Sequence, residues 1–174
     1  KAKVKAVRGH QAAEQAFRHG GSEAQINAAF LSASGHCDSD LPYNNIVALN
    51  ENGATLHYQY KSIHKPSHHR SLIIDAGAEH NGYAADITRT YGNGFELYEQ
   101  LIDAVENEQL ALCAQVKSGI DYRELHLQCH LRLAGVLRNL GIVEMEAGSM
   151  LDKGVSSVFF PHGLGHPIGL QVHD

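Results

Sequence analysis

The sequence has few cysteines and no long hydrophobic run. Its three cysteines, Cys37, Cys113 and Cys129, are scattered and form no CxxC pair. This argues against a disulfide framework or a structural zinc site and favours a reducing, cytoplasmic location. No apolar run approaches the roughly 20 residues needed to span a bilayer, and KAKVKAVRGH leads into no apolar signal-peptide core. The net charge of −5 with neutral histidines argues against nucleic acid or an anionic membrane as a partner.

Internal repeats and low-complexity segments are also missing, and the 174 residues are enough for one domain with a core. The chain begins inside a helical pattern at Lys1 and stops inside an apolar, strand-like stretch at Asp174. We therefore expect a part of a longer protein.

Helices, hairpins, helices and strands follow one another along the chain, which predicts an α+β domain with helices on one face of a curved sheet. Helices are expected over 1–19, from a capping box at 22–25, over 95–117, and from Asp121 to Leu140. The first helix carries apolar residues at helical spacing, namely Val4, Val7, Ala12 and Ala16. The second helix carries Ile26, Ala29 and Phe30 on its inner face. Strands are expected in IVALN, in ATLHYQY, in the hairpin described next, and on both sides of the glycine-rich turn in VSSVFFPHGLGHPIGLQVHD.

Two aspartates flank a predicted hairpin turn in SLIIDAGAEHNGYAADITRT. The Asn-Gly pair at 81–82 is a strong turn signal, because both residue types tolerate a positive φ. With that turn, Asp75 lies opposite Thr88 and Asp86 opposite Gly77, so both carboxylates share one face, with Cβ atoms roughly 7 Å apart. Carboxylates so close repel unless a proton or cation lies between them, and two divalent metal ions about 3.5–4 Å apart would fit. Taken alone, the pair is equally compatible with a solvent-exposed turn.

Further candidate ligands lie in PHGLGHPIGLQVHD, which contains His162, His166 and His173. Neutral imidazole is a common ligand of divalent metals, and the glycines allow a close approach of the backbone to a ligand. Spacing alone does not decide which histidine binds. The GLG of this segment is no phosphate loop, because it lacks the Gly-Lys-Ser/Thr ending.

These motifs together resemble the pita-bread metallopeptidases, the family of methionine aminopeptidase, aminopeptidase P and prolidase. The matching residues are His57 in TLHY, Asp75 and Asp86 in the hairpin segment, and HGLGHPIGLQVHD. LPYNNIVALNENGATLHY narrows the likeness to bacterial prolidases (Xaa-Pro dipeptidases), including the subgroup of organophosphorus acid anhydrolases. The likeness runs over essentially the whole chain.

The resemblance implies a role for each of these residues. Asp75 would bind one metal ion, Asp86 would bridge two, and His166 would bind the other. His57 and His173 match histidines that contact the substrate or the reaction intermediate. The resemblance also implies two less direct roles, with His162 as a supporting pocket residue and Tyr43 of LPYNN as a pocket-lining tyrosine.

The expected activity is hydrolysis of Xaa-Pro dipeptides by a hydroxide activated between two metal ions. Carboxylate-rich ligation favours Mn²⁺, with Co²⁺ or Zn²⁺ as alternatives. A phosphotriester resembles the tetrahedral intermediate, so organophosphate hydrolysis is a further expectation. Prolidases are commonly homodimers, which the resemblance extends to the full-length protein.

The chain also departs from the family. Relatives complete the metal site with two glutamates from strands after HGLGH, and this chain has no glutamate beyond Glu146. Residues 1–174 are therefore expected to be part of a catalytic domain, without the N-terminal prolidase domain and the C-terminal catalytic strands. Alone, they should bind metal weakly and be nearly inactive. The alternative is a pita-bread module that binds peptides or proteins without hydrolysing them.

Other histidines and apolar stripes have structural interpretations. His126 and His130, at i and i+4, are expected on a solvent-facing or partly buried helix surface, because no third metal ligand is suggested nearby. The polar-loop histidines His64, His68 and His69 are expected to be solvated. The leucine stripe of helix 95–117 is expected to pack in the core.

Overall fold

The computed structural model describes residues 1–174 and combines α-helices with short antiparallel strands. The helices are α1 (Ala2–Arg18), α2 (Glu23–Ser34), α3 (Glu96–Cys113), α4 (Tyr122–Asn139), α5 (Ala147–Asp152) and α6 (Val155–Phe159). The strands are β1 (Ile46–Leu49), β2 (Ser71–Asp75), β3 (Ala78–His80), β4 (Tyr83–Ala85) and β5 (Thr88–Gly92). The chain forms two compact units, residues 1–94 with 167–174, and residues 95–166.

The strands of the first unit follow the predicted hairpin register. His80 pairs with Tyr83 across the turn, where Asn81 and Gly82 have φ values of 55° and 80°. Farther from the turn, Asp75 pairs with Thr88. The prediction is confirmed because both turn residues adopt the left-handed conformation that a tight hairpin requires.

The core of the first unit lies where α1 and α2 cover β1 and β2. β1 pairs antiparallel with β2, and the buried residues of β2, Leu72 and Ile74, alternate along the strand. They contact a cluster that includes Phe17 and Phe30, both fully buried. Burying a side chain of this size contributes about 1.5–3 kcal/mol.

Both N-terminal helices are confirmed, although the buried face of α1 differs from the valine pattern. Val4 and Val7 are exposed, whereas small residues such as Ala6 and Ala13 are buried. Small side chains let a helix approach the strands closely, so packing selects this face over the larger valines. In α2, Ser22 and Gln25 form both bonds of the capping box.

The second unit is helical, and most of the leucine stripe of α3 is not buried in it. Leu112 is buried against Leu125 of α4, but Leu97 is 40% exposed and Leu110 57% exposed. Glu108 and Leu112, which contact α4, both lie in the second half of α3, whereas Leu97 in its first turn is exposed. The prediction of core packing was wrong for most of the stripe. The next helix, α4, begins at the predicted cap, where the Asp121 carboxylate accepts a bond from the Arg123 N–H.

Two predicted strand regions are not strands. ATLHYQY continues from a 3₁₀ turn at Asn50–Ala54 as an irregular loop, because the buried Glu23 carboxylate accepts hydrogen bonds from Tyr58 within it and from the Ser62 N–H just after it. In the tail, residues 155–159 form α6, and 160–174 have no regular structure. The backbone groups of the tail bond to side chains and to one another, as Gly165 does with Tyr122, so no ladder forms.

None of the helices is both long and apolar enough to cross a membrane. All three cysteines are free thiols, with Cys129 buried and the other two exposed.

Candidate metal centre

Asp75 and Asp86 lie on the two arms of the hairpin, where its regular ladder is interrupted. Asp75 is the last residue of β2, and Asp86 directly follows β4. The register continues through the gap, because the N–H of Ala76 donates to the carbonyl of Ile87 at 3.1 Å. The two aspartates are therefore diagonal neighbours on one face of the hairpin, as the turn predicts.

The hydroxyl of Tyr43 brings the two carboxylates to one point. Its oxygen lies 2.8 Å from Oδ1 of Asp75 and 2.7 Å from Oδ1 of Asp86. A phenol carries one proton, so it donates to one carboxylate at a time, and its oxygen accepts from the other carboxyl only when that carboxyl is protonated. Two acidic oxygens that converge on one atom form the kind of site that a proton or a cation stabilises.

Burial and a neighbouring negative charge alter the pKa of both Asp75 and Tyr43. Burial raises the pKa of Asp75, as does the charge of Asp86, while the Tyr43 hydrogen bond opposes them. Burial, followed by the charge of Asp75, raises the pKa of the Tyr43 phenol well above its ordinary value. The neutral form of the phenol is therefore the donor to the acidic pair.

Two residues allow Tyr43 to reach the hairpin. A Cβ atom at Gly77 would lie 2.5 Å from Cε1 of Tyr43 and would also collide with the carbonyl oxygen of Ala85. Asn45, which is buried, donates from Nδ2 to Oδ1 of Asn27 on α2 at 2.9 Å. Gly77 thus makes room for the ring, and Asn45 ties the LPYNN segment to the helix behind it.

The predicted histidines have not joined the aspartates in a metal site. No group of three or more His, Cys, Asp or Glu side chains able to hold a metal ion occurs among residues 1–174. His57 lies in the exposed loop after the 3₁₀ turn, and His162, His166 and His173 are exposed in the irregular tail. His166 belongs to the second unit, whereas His57 and His173 belong to the first.

The glycine segment itself is held by tyrosines that the sequence analysis did not single out. The Tyr122 hydroxyl donates to the Gly165 carbonyl at 2.6 Å and accepts from the Gly165 N–H at 2.8 Å. In the first unit, the Tyr83 hydroxyl donates to the Ile168 carbonyl at 3.3 Å. The N–H of Ala84 on β4 also donates to the Gly169 carbonyl at 2.9 Å. Residue type gives no signal for these contacts, because each joins residues far apart in sequence.

Three of the remaining histidines, His126, His130 and His69, have structural partners. His130 is buried on α4, with Nδ1 3.1 Å from the Ser156 hydroxyl and Nε2 3.2 Å from Nε2 of His126. Burial lowers the pKa of His130, and the neighbouring His126 adds to that effect. His64 and His68 are exposed as predicted, but His69 is half-buried and its Nε2 lies 2.9 Å from the Gly21 carbonyl oxygen. Solvation was therefore the wrong expectation for His69.

The side chains of Asp75 and Asp86 are suitable ligands for a divalent metal ion, because Mn²⁺ and similar ions bind carboxylate oxygens. Their position also fits, because both carboxylates point at one hydroxyl on a half-buried face. The comparison with known proteins agrees with this chemistry, since the profile of metallopeptidase family M24 matches residues 1–174. The chain belongs to metallopeptidase family M24.

The chain is similar in sequence to bacterial enzymes of that family. It is 53% identical over 171 residues to Xaa-Pro dipeptidase of Salmonella arizonae and 52% identical to that of Escherichia coli O1:K1. Each alignment covers 97% of this chain and 39% of the relative, so the chain spans about two fifths of the length of these relatives.

Solved structures of aminopeptidases share the fold. Zinc-substituted E. coli aminopeptidase P in complex with product superposes with a TM-score of 0.88 at 28% identity, over 99% of this chain and 40% of that one. Proline aminopeptidase P II from Yersinia pestis gives 0.79 at 28% identity, over 99% and 42%. The α+β fold expected from the sequence is therefore the pita-bread fold of aminopeptidase P.

Proposed function

We propose that the protein containing this chain is a metal-dependent dipeptidase that hydrolyses Xaa-Pro dipeptides, and that residues 1–174 form part of its catalytic domain. The observation that carries the proposal is the convergence of Asp75 and Asp86 on one hydroxyl, in a member of family M24. The similarity to enzymes named Xaa-Pro dipeptidase supports the choice of substrate.

Asp75, Asp86 and His166 would hold the metal ions, with Asp86 as the ligand shared between two of them. When bound, such ions supply a Lewis acid and a water of lowered pKa. Mn²⁺ is the proposed ion because carboxylates dominate the ligand set, and Co²⁺ or Zn²⁺ could replace it.

The chain's other residues would bind and orient the dipeptide. His57 and His173 are proposed to donate hydrogen bonds to the carbonyl oxygen as it becomes negative, which lowers the barrier to attack on that carbonyl. His162 and Tyr43 are proposed to line the substrate pocket. Tyr43 would have a second role, because its hydroxyl lies within hydrogen-bond distance of both aspartates.

The test is cleavage of a Xaa-Pro dipeptide by the full-length protein with Mn²⁺, compared with Asp75→Asn and Asp86→Asn. Each substitution removes a charged ligand, so we expect kcat to fall by at least about 100-fold and bound metal to decrease. Asp103→Asn, an exposed position on α3, is the matched control and should retain activity. Absence of turnover by the wild-type protein with metal bound would refute the dipeptidase assignment.

The same assay separates hydrolysis from binding alone. A non-catalytic module would bind a Xaa-Pro peptide stoichiometrically and release it intact.

For residues 1–174 alone, we propose weak metal binding and almost no turnover. Tight binding of two Mn²⁺ ions in a calorimetric titration would contradict that part of the proposal.

Organophosphate hydrolysis is proposed as a secondary activity, because a phosphotriester has the tetrahedral shape that a peptide carbonyl reaches only after attack. A nitrophenyl phosphotriester would report it by colour. If Tyr43 lines the pocket, Tyr43→Phe should change the ratio of phosphotriester to dipeptide kcat/KM. An unchanged ratio would show that the Tyr43 hydroxyl does not contribute to the choice between the two substrates.

The proposal also includes a cytoplasmic location and a homodimer, with neither nucleic acid nor a membrane as partner. Three unpaired cysteines are compatible with a reducing compartment. Sedimentation of the full-length protein would measure the oligomeric state.

A further inference from the structure

The side chain of Glu23 lies at the first position of α2 and is almost completely buried, with 1% of its surface exposed. Its carboxylate accepts four hydrogen bonds, each of 2.9 Å. The donors are the Leu49 N–H and Asn52 Nδ2 on one oxygen, and the Tyr58 hydroxyl and Ser62 N–H on the other. A buried carboxylate persists only when its lone pairs are filled in this way.

All four donors come from one short region, which consists of Leu49 and the segment 50–62. We name residues 50–62 the Glu23 loop. The first turn of the loop is also bonded to residues 68–71, through Asn50 and Glu51. The part that follows, which includes His57, depends more on the bonds to Glu23. Leu56 is 60% exposed and Tyr60 is 79% exposed, so apolar packing does not fix its conformation. Glu23 and the backbone bond from the Ala24 N–H to the Ser62 carbonyl attach the loop to α2.

His57 lies within the Glu23 loop and has a φ of 53°, which a residue with a Cβ atom rarely adopts. Such a conformation persists only where the surrounding structure imposes it. The next residue, Tyr58, donates to Glu23, so the backbone of His57 is one residue from the buried anchor.

We propose that Glu23 is a positioning residue, which acts through Tyr58 to hold His57 in the orientation that the reaction uses. The inference rests on the proposed catalytic role of His57. It requires a carboxylate at position 23, because all four partners are donors. A glutamine would turn an NH₂ group toward two of them and lose at least one of those bonds, because an N–H group cannot accept a hydrogen bond.

The experiment uses the full-length enzyme with Mn²⁺ and the substitution Tyr58→Phe, which removes one bond to Glu23 and keeps the ring. We expect kcat to fall about 10- to 100-fold with KM within about two-fold, as for a misoriented catalytic group. Tyr60→Phe is the matched control, because it removes an exposed hydroxyl two residues away and should leave kcat unchanged. Glu23→Gln should reduce kcat further, and Glu23→Ala should reduce it most.

A double-mutant cycle with His57→Ala separates positioning from general stability. If Glu23 and Tyr58 act through His57, Tyr58→Phe should have no further effect on kcat once His57 is alanine. Equal reductions in both backgrounds would overturn the proposal, since the loss would then be independent of His57.

Hydrogen exchange over residues 50–62 keeps the test independent of the proposed function. Faster exchange in Tyr58→Phe than in Tyr60→Phe is the expected result, and unchanged exchange would overturn the claim that this bond holds the loop. If the wild-type enzyme cleaves no dipeptide, the proposed function fails and the catalytic role of Glu23 fails with it. If turnover is normal but His57→Ala is fully active, positioning for catalysis is overturned while the dipeptidase assignment stands.

Discussion

Gly77→Ala tests whether the absence of one side chain allows Tyr43 to reach the acidic pair. The added Cβ would lie 2.5 Å from Cε1 of Tyr43 and 3.0 Å from Cγ of Pro42, and it would also meet the backbone oxygen of Ala85. The aromatic ring can turn away, but the carbonyl next to Asp86 is part of the hairpin and cannot move without shifting β4. We therefore expect the ring and one strand of the hairpin to be displaced.

The magnitude follows from two opposing effects. Overpacking of this kind costs about 1–3 kcal/mol. Replacing glycine by alanine also restricts the unfolded chain, which returns about 0.4–1 kcal/mol. The middle of each range gives a net destabilisation of about 1.3 kcal/mol, which corresponds to a decrease in Tm of about 3–5 °C for a chain of this size.

Thermal unfolding followed by circular dichroism measures the effect on Tm, and calorimetry with Mn²⁺ measures the effect on the acidic pair. Gly135→Ala is the matched control, because nothing lies within 4 Å of its added Cβ and the residue is inside α4. That substitution should leave Tm unchanged or raise it slightly. A Tm for Gly77→Ala at or above that of the wild type would refute the close approach of Tyr43.

Three further substitutions test other parts of the structure. Phe30→Ala should cost about 3–5 kcal/mol in denaturant unfolding, because the ring is fully buried; a loss below about 1 kcal/mol would contradict its place in the core. Asp121→Ala should cost about 1 kcal/mol by removing the cap bond to the Arg123 N–H. An unchanged Tm in thermal unfolding followed by circular dichroism would contradict a stabilising role of that cap. Since burial lowers the pKa of His130 in the folded state, the unfolded chain takes up the proton first as the pH falls through about 6.5. Below that pH, His130 should thus reduce the free energy of unfolding by at most about 1.4 kcal/mol for each pH unit. The Tm of His130→Gln should therefore change less between pH 7.5 and 5 than the Tm of the wild type. Parallel pH profiles of Tm would contradict the burial of His130.

Much of the hairpin and its acidic pair could be predicted from the residues alone. The Asn81-Gly82 turn determines the register of both arms, because a two-residue turn with positive φ leaves one pairing. Asp75 and Asp86 then share a face by counting. Helix ends were predicted for the same reason, since the caps at Ser22 and Asp121 act on backbone groups two or three residues away.

Contacts between distant residues were beyond that reasoning. Nothing in LPYNN indicates that the Tyr43 hydroxyl would reach two aspartates more than thirty residues later, or that Gly77 would leave the space for it. The strand expected in ATLHYQY failed for a similar reason. Its Tyr58 hydroxyl bonds to Glu23, whose position in sequence marks it only as an acidic residue in the first turn of α2.

The sequence by itself determined the four long helices, the hairpin register and the acidic pair, because turns, caps and strand alternation act over a few residues. The tertiary structure decided which face of α1 is buried, which residue joins the two carboxylates, and how the loop carrying His57 is held. Those outcomes depend on packing volume and on hydrogen-bond donors brought together from separate parts of the chain, which no local pattern records.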